Sequence, residues 1–219
     1  TDAQRWTILV HGIESDRNAM LRFLPSIHGM GDTALLINYR NDTGAPASPD
    51  GYNHISDTEW QDLQAAVAFA LDHGAKDIRL FGVSLGGSIV ENYLRRAGNA
   101  GNVSKVILDS PALNWREILR FRLKQGGYLT IFYCPSAYFA WLRAGIHVRR
   151  ISTTAHDINH ETLLFHSFDD SSVPQAASKR LAAARPDLVT FVDFKYGSHA
   201  RSWNYDRERY ETLVREFLT

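Results

Sequence analysis

One pentapeptide, Gly82-Val83-Ser84-Leu85-Gly86, has the residue types and spacing of a turn that presents a nucleophilic serine. It follows the apolar run 78–83 and precedes a helix-forming stretch, which is the context of a nucleophile elbow. Small neighbours let the backbone pack closely there, and Ser84 is expected to adopt a strained, positive-φ conformation. The pattern predicts that Ser84 is a nucleophile, and the alternative is an ordinary structural loop.

A serine hydroxyl is a weak nucleophile at neutral pH, so it needs a base, a group that orients the base and donors for an oxyanion. His199 lies in a loop just before the last helical stretch and is the predicted base. Asp170 lies in a loop that follows an apolar strand and is the predicted orienting acid. Asp169, its neighbour, and Asp109, at the end of another strand, remain alternatives for the acid.

Strands must position these side chains, and the hydrophobic pattern predicts six of them. They lie near residues 6–10, 34–39, 78–83, 103–109, 162–166 and 188–194. Helical patterns separate them, and the clearest is 57–73, where Ser56 and Glu59 would form a capping box and Gly74 would end the helix. This alternation predicts an α/β fold, with a mostly parallel sheet of about six strands and helices on both faces.

Four segments make the chain resemble an α/β-hydrolase over nearly its whole length. They are Val10-His11-Gly12, the elbow at Ser84, Asp170-Ser171-Ser172-Val173-Pro174 and Gly197-Ser198-His199. The chain order Ser, Asp, His is also that of this fold. In addition, residues 109–116 read Asp-Ser-Pro-x-Leu-x-Trp-Arg, which is similar to bacterial esterases and serine-aminopeptidase-like hydrolases.

The resemblance implies roles for residues near the elbow. The oxyanion hole would be formed by the backbone N–H groups of Leu85 and Ile13, and His11 would brace the loop that carries Ile13. One departure concerns residues 166–167, which read His-Ser where the family usually has His-Gly. This departure slightly weakens the choice of Asp170 over its neighbour Asp169 as the acid.

The predicted strand 34–39 would lie outside the first strand if the hydrolase strand order holds, and so at an edge of the sheet. Such an apolar edge is normally covered. The resemblance implies two further strands upstream that would cover it. We therefore expect either that an amino-terminal piece is missing or that this edge associates with another copy of the chain. The compartment is expected to be cytoplasmic, or that of a trimmed soluble domain from a longer, membrane-anchored protein.

A single domain, 1–219, is expected to contain an insertion of about 111–160 that is too long for a simple crossover and reads as a helical cap. The middle of the insertion, 128–142, is uncharged and rich in aromatic residues. Three interpretations compete: a lid over an apolar acyl pocket, helices packed on the domain, or a membrane-surface segment. The lid is favoured, with substrate-binding candidates Trp115, Tyr138 and Trp141.

The composition excludes or disfavours several kinds of partner, crosslink and metal site. The chain has 219 residues and a formal net charge of zero, which argues against a nucleic-acid partner. The single Cys134 excludes an intrachain disulfide and a cysteine-only metal site. His156 and His160 have a spacing that can chelate a metal on a helix, but no third ligand is evident, so a solvated loop is favoured. No metal or organic cofactor is expected.

These observations predict a serine hydrolase that cleaves carboxylic esters through an acyl-enzyme on Ser84. Its substrate would be a small-molecule ester or amide with an apolar group. The first alternative is an amide or peptide hydrolase of the aminopeptidase type. The second is a catalytically silent hydrolase-fold module that binds a ligand or partner.

Overall fold

The sheet is all-parallel and has six strands, as the computed structural model shows for residues 4–219. The strands are β1 (Arg5–Val10), β2 (Thr33–Ile37), β3 (Asp77–Val83), β4 (Val103–Asp109), β5 (Glu161–Ser167) and β6 (Val189–Phe194). Their order across the sheet is β2-β1-β3-β4-β5-β6, and β2 lies outside β1 as expected from the resemblance. The predicted α/β fold is therefore confirmed.

Eight helices accompany the sheet in the described part of the chain. They are α1 (Leu24–Gly29), α2 (Trp60–Asp72), α3 (Leu85–Arg96), α4 (Trp115–Gln125), α5 (Tyr133–Ala144), α6 (Ala176–Ala184), α7 (Ser202–Tyr205) and α8 (Arg207–Leu218). Short 3-10 segments cover Arg17–Phe23, Ala100–Asn102, Thr130–Phe132 and Ala155–Asp157. No helix within residues 4–219 combines the length and the apolarity needed to cross a membrane.

The hydrophobic core lies on both faces of the sheet because successive strand residues point to opposite sides. Leu80 of β3 packs in one core layer with Leu63 of α2 and Tyr93 of α3. The next residue, Phe81, packs in the other layer with Tyr210 of α8. Burial on both faces explains why the central strands read as continuous apolar runs. It also holds the carboxyl ends of β1, β3, β4 and β5 in register at one edge of the sheet.

Strand β2 is an edge strand, as expected, because it pairs only with β1 among residues 4–219. It ends at Ile37 and is shorter than the predicted strand 34–39. Its residues are mostly half-buried, and only Ile37 is buried. The edge thus keeps apolar side chains within reach of solvent. Association of this edge with another copy stays a prediction.

The predicted start of the second helix was wrong, because α2 begins at Trp60 and not near residue 57. Only half of the expected capping box forms: the Ser56 amide donates to the Glu59 carboxylate at 2.9 Å. The Ser56 hydroxyl instead hydrogen-bonds Ser88 on α3 at 2.9 Å, and Ser56 has a φ of +84°. This tertiary contact replaces the local cap. The helix ends before Gly74, which has a φ of +91°.

The insertion between β4 and β5 contains α4, α5 and two of the 3-10 segments. It leaves the carboxyl end of β4, next to the elbow, and returns to the amino end of β5. Helices α4 and α5 contact each other, and α4 lines the same cavity as the elbow. We call this insertion the cap.

Candidate active site

Ser84 occupies a sharp turn between β3 and α3. Its φ of +54° and ψ of −115° lie outside the regions that non-glycine residues ordinarily adopt. The flanking glycines allow this turn: a Cβ at Gly86 would collide with the carbonyl oxygen of Val10, and one at Gly82 would lie 2.7 Å from the Gly86 oxygen. The neighbouring backbones could not approach so closely around any other residue type. The strain is the geometry expected of a nucleophile elbow.

A continuous hydrogen-bonded line joins Ser84, His199 and Asp170. The His199 Nε2 atom lies 2.8 Å from the Ser84 hydroxyl oxygen, and its Nδ1 atom lies 2.8 Å from Asp170 Oδ2. Because Asp170 accepts from Nδ1–H, the neutral ring leaves Nε2 free to accept the serine proton. The structure therefore brings together the three side chains that the sequence singled out.

Asp170 is held as an ionised carboxylate. Burial alone would raise its pKa, but hydrogen bonds from His166, His199 and the backbone amide of Val173 outweigh that effect and hold the pKa well below its ordinary value. The amides of Ser172 and Val173 both donate to Oδ1 at 2.8 Å. The other oxygen, Oδ2, is thus left for the two imidazole rings.

His166 supports the acid from below, a contact that the sequence did not predict. It is fully buried, and its Nδ1 accepts from the Ser178 hydroxyl at 2.8 Å. Its Nε2 faces the Val173 carbonyl at 3.1 Å and Asp170 at 3.3 Å. Both of these partners are acceptors, so Nε2 carries the hydrogen. The sequence shows His166 in the His-Ser pair before the acid loop, but it does not show that the ring faces the carboxylate.

The two alternative acids have other partners. Asp169 accepts from the backbone amide of Ser198 at 2.8 Å and so shapes the loop that carries the base. Asp109 is buried and accepts from the hydroxyls of Tyr210 at 3.0 Å and Ser110 at 3.1 Å. Burial raises the pKa of the Asp109 carboxyl. The positive charge of Arg22 and the hydrogen bonds from Tyr210 and Ser110 partly offset this rise. Neither carboxylate hydrogen-bonds the imidazole of the candidate base.

The loop that presents the base is strained and pinned. Ser198 and Ala200 have φ values of +50° and +54°, on either side of His199. The Ala200 amide donates to the Ser110 hydroxyl at 3.1 Å, which ties the loop to the end of β4. This second anchor, together with Asp169, fixes the imidazole beside the elbow. Sequence reasoning missed Ser110.

The loop after β1 lies against the nucleophile. A Cβ at Gly12 would sit 3.2 Å from the Cβ of Ser84. His11 stacks on Tyr39 with ring centroids 4.4 Å apart, and its nitrogens face the Gly12 carbonyl at 2.8 Å and Asp42 at 2.9 Å. His11 thus braces this loop, and Asp42 is a partner that the sequence did not reveal.

The two residues expected to provide oxyanion donors lie on two different elements. Leu85 is the first residue of α3, where amides have no acceptor within the helix and the helix dipole is positive. Ile13 follows Gly12 on the neighbouring loop. Both residues line the same cavity as Ser84. Their role as oxyanion donors stays a prediction.

A cavity of about 640 Å³ opens above these groups. Its apolar wall includes Val83, Ala112, Trp115, Ile118, Leu119 and Val173, and its polar side includes Glu14, Arg22 and Arg122. Of the three predicted substrate-binding residues, Trp115 lines the cavity. Tyr138 and Trp141 do not, because α5 holds them exposed on the outside of the cap. The cavity contacts α4, not the aromatic middle of the insertion.

No group of three or more His, Cys, Asp or Glu side chains that could hold a metal ion occurs among residues 4–219. His156 lies in the 3-10 segment Ala155–Asp157, and His160 lies just before β5. Burial lowers the pKa of His160.

No family model matches the chain. The uncharacterized protein YqkD of Bacillus subtilis strain 168 is 24% identical over 221 residues, a match that covers 99% of this chain and 72% of YqkD.

Among solved structures, the esterase Pf2001 of Pyrococcus furiosus superposes with a TM-score of 0.75 at 21% identity, covering 99% of this chain and 81% of the esterase. The esterase EaEST of Exiguobacterium antarcticum gives a TM-score of 0.71 at 17% identity, covering 99% of this chain and 93% of that protein. At these identities the likeness concerns the fold.

Proposed function

Because this chain has the α/β-hydrolase fold, we propose that it is a serine hydrolase that cleaves carboxylic esters. The hydrogen-bonded line from Ser84 through His199 to Asp170 carries the proposal. Two supporting features are the strained elbow and the apolar cavity above it. The same fold also hosts unrelated functions, so the argument rests on the site.

The proposed reaction is acyl transfer in two halves. His199 Nε2 takes the proton of Ser84 as its oxygen attacks the ester carbonyl, and the amides of Ile13 and Leu85 stabilise the oxyanion. His199 then gives the proton to the departing alkoxide, which leaves an acyl-enzyme. Water then attacks the acyl-enzyme and gives a proton to His199. His199 passes this proton to the Ser84 oxygen as the tetrahedral intermediate collapses to the carboxylic acid and the free serine. Asp170 stabilises the imidazolium and holds the ring in the required tautomer.

An ester is the better substrate class for this site than an amide. An alkoxide leaves more readily than an amide nitrogen, and the wall formed by Trp115, Ile118 and Leu119 suits an apolar acyl or alkyl group. Two structural neighbours, Pf2001 and EaEST, are named as esterases, which supports this choice.

The test compares p-nitrophenyl esters of several acyl lengths with aminoacyl anilides. Turnover of the esters, with little turnover of the anilides, is the expected result. Loss of ester turnover by at least about 10³-fold in Ser84→Ala would tie it to the site. Faster turnover of anilides would replace the ester proposal with an amidase. Ester turnover that survives in Ser84→Ala would remove the proposed mechanism.

A further inference from the structure

The outer surface of the cap exposes large apolar side chains. Six of its exposed apolar residues, which we call the cap patch, are Leu129, Ile131, Phe132, Tyr138, Phe139 and Leu142. Each of them is between 48% and 73% exposed. Scattered exposed apolar residues are normal, but a contiguous run in one short segment indicates a binding surface.

Helix α5 is oriented against the usual rule for a surface helix, which buries its large apolar side chains. No residue of α5 is buried, and its inner positions hold mostly alanine. The half-buried residues of the helix are Tyr133, Ala137, Ala140 and Ala144, spaced along one face. Tyr133 is held by Arg120 of α4, whose guanidinium lies 4.9 Å from the ring centre. The large residues on the other side, including Phe139 and Leu142, therefore face outward.

The charged side chains of the cap segment 118–156 itself all have one sign. Residues 118–156 contain six Lys and Arg and no Asp or Glu, although the whole chain has 24 of each class. The six are Arg120, Arg122, Lys124, Arg143, Arg149 and Arg150. Among residues 4–219, only Arg150 of these six lies within 4.0 Å of a carboxylate, that of Asp57 at 3.5 Å. A partner for this surface must therefore be apolar at its centre and anionic at its rim.

A second copy of the chain fits this chemistry poorly. A twofold contact would place the same patch on both sides of the interface. The basic rims of both copies would then meet, and like charges in contact oppose association. An anionic lipid surface satisfies both requirements at once, because it offers a hydrocarbon layer beneath negatively charged headgroups.

We propose that the cap patch binds the surface of an anionic lipid membrane, with Phe139 and Leu142 inserted at the headgroup level and the basic residues against the headgroups. Helix α4 connects this surface to the cavity: Arg122 lines the cavity, and Lys124 belongs to the basic rim. Binding by the patch does not depend on the proposed hydrolysis.

The test measures co-sedimentation of the full chain with phosphatidylcholine vesicles that contain or lack phosphatidylglycerol. We expect binding only when phosphatidylglycerol is present, and we expect it to weaken as salt is added. Phe139→Ser should weaken binding on the order of tenfold, and Arg149→Glu at least about fivefold. The matched control is Phe69→Ser, which removes an exposed aromatic ring from α2 and should leave binding unchanged.

Thermal unfolding of each variant identifies any loss of binding that comes from misfolding, and Leu142→Ser repeats the test at a second exposed position. Three results would overturn the inference. They are no binding to phosphatidylglycerol vesicles, equal loss of binding in Phe139→Ser and Phe69→Ser, or a dimer that Phe139→Ser converts to monomer without any vesicle binding by the wild type.

Discussion

The carboxyl edge of the sheet and the cap treat their distinctive side chains in opposite ways. At the edge, Ser84 and Asp170 are buried, and each polar atom of the proposed triad has a partner at hydrogen-bond distance. On the cap, aromatic and aliphatic side chains lie in solvent. The first region fixes atoms, whereas the second offers a surface.

The difference follows from what each region packs against. The edge is over-determined: Asp169, Ser110 and His166 each hold a loop or a carboxylate that the proposed triad depends on. Within the cap, α5 packs against α4 and has no buried residue. Preorganised polar groups suit transition-state stabilisation. A weakly supported apolar surface suits association. Substitutions in each region test whether the site and the cap surface act separately.

The largest effect is expected at the nucleophile. Ser84→Ala should lower kcat/KM for p-nitrophenyl esters by about 10⁴-fold or more, because no other group at the site replaces the hydroxyl. Vesicle binding by the same variant should be unchanged, since Ser84 is buried beneath the cavity. Kinetics and co-sedimentation on one preparation check both statements. Joint loss of the two activities would break the comparison.

The next effect distinguishes the neighbouring acids. Asp170→Asn should lower kcat by up to about 10⁴-fold, since an amide can donate to Nδ1 and favour the wrong tautomer of His199. Asp169→Asn is the matched control and keeps an oxygen that can accept from Ser198, so its loss should be far smaller. The measurement is kcat for both variants with one ester. If the Asp169 variant were the weaker enzyme, the acid would be misassigned.

A smaller effect separates the cavity wall from the outside of the cap. Trp115→Leu should raise KM for long-chain esters about tenfold relative to short-chain esters, because Trp115 lines the cavity. Trp141→Leu should leave this ratio unchanged, since Trp141 is exposed and does not line the cavity. KM measured across a series of acyl lengths checks both. A change in Trp141→Leu equal to that in Trp115→Leu would place α5 over the substrate.

The remaining prediction concerns stability rather than activity, and it involves Glu91 of α3, the helix that begins at the elbow. Glu91 is buried, and its carboxylate oxygens have no hydrogen-bond partner within residues 4–219. Burial, aided by Asp157 and opposed by Arg95, raises the pKa of Glu91 from 4.5 to about 8. Between those values the unfolded chain releases the proton and the folded chain keeps it. Stability should therefore fall as pH rises through this window, by up to about 1.4 kcal/mol per pH unit.

Glu91→Gln should flatten this part of the stability profile and leave the variant more stable than the wild type at pH above 8. Urea unfolding at a series of pH values measures the difference. Glu216→Gln, at an exposed position of α8, is the control and should follow the wild type. Parallel profiles for the wild type and Glu91→Gln would show that the buried carboxyl is not responsible.

The sequence predicted the fold and the convergence of the site because both depend on simple regularities. Apolar runs that alternate with helical patterns lead to a parallel sheet, and residues after its strands meet at one edge. Ser84, Asp170 and His199 each follow a strand in this way. The acid was harder to choose, since Asp169 and Asp170 are adjacent and only the loop conformation decides which one faces the imidazole.

Other features depend on contacts between distant residues, which local patterns do not encode. Ser56 reads as a helix cap, but its hydroxyl bonds Ser88, which lies 32 residues away. The aromatic residues of 128–142 read as a lid lining because composition does not say which face of a helix turns inward. The alanines at 137 and 140 held that information, since small residues let one face of α5 pack against its support.

The most direct test of the central claim is titration of the protein with a fluorophosphonate, followed by mass spectrometry of its peptides. We expect one adduct per chain on Ser84, absent from Ser84→Ala and formed far more slowly by His199→Ala. An unmodified Ser84 in folded protein, or an adduct on a different serine, would contradict it.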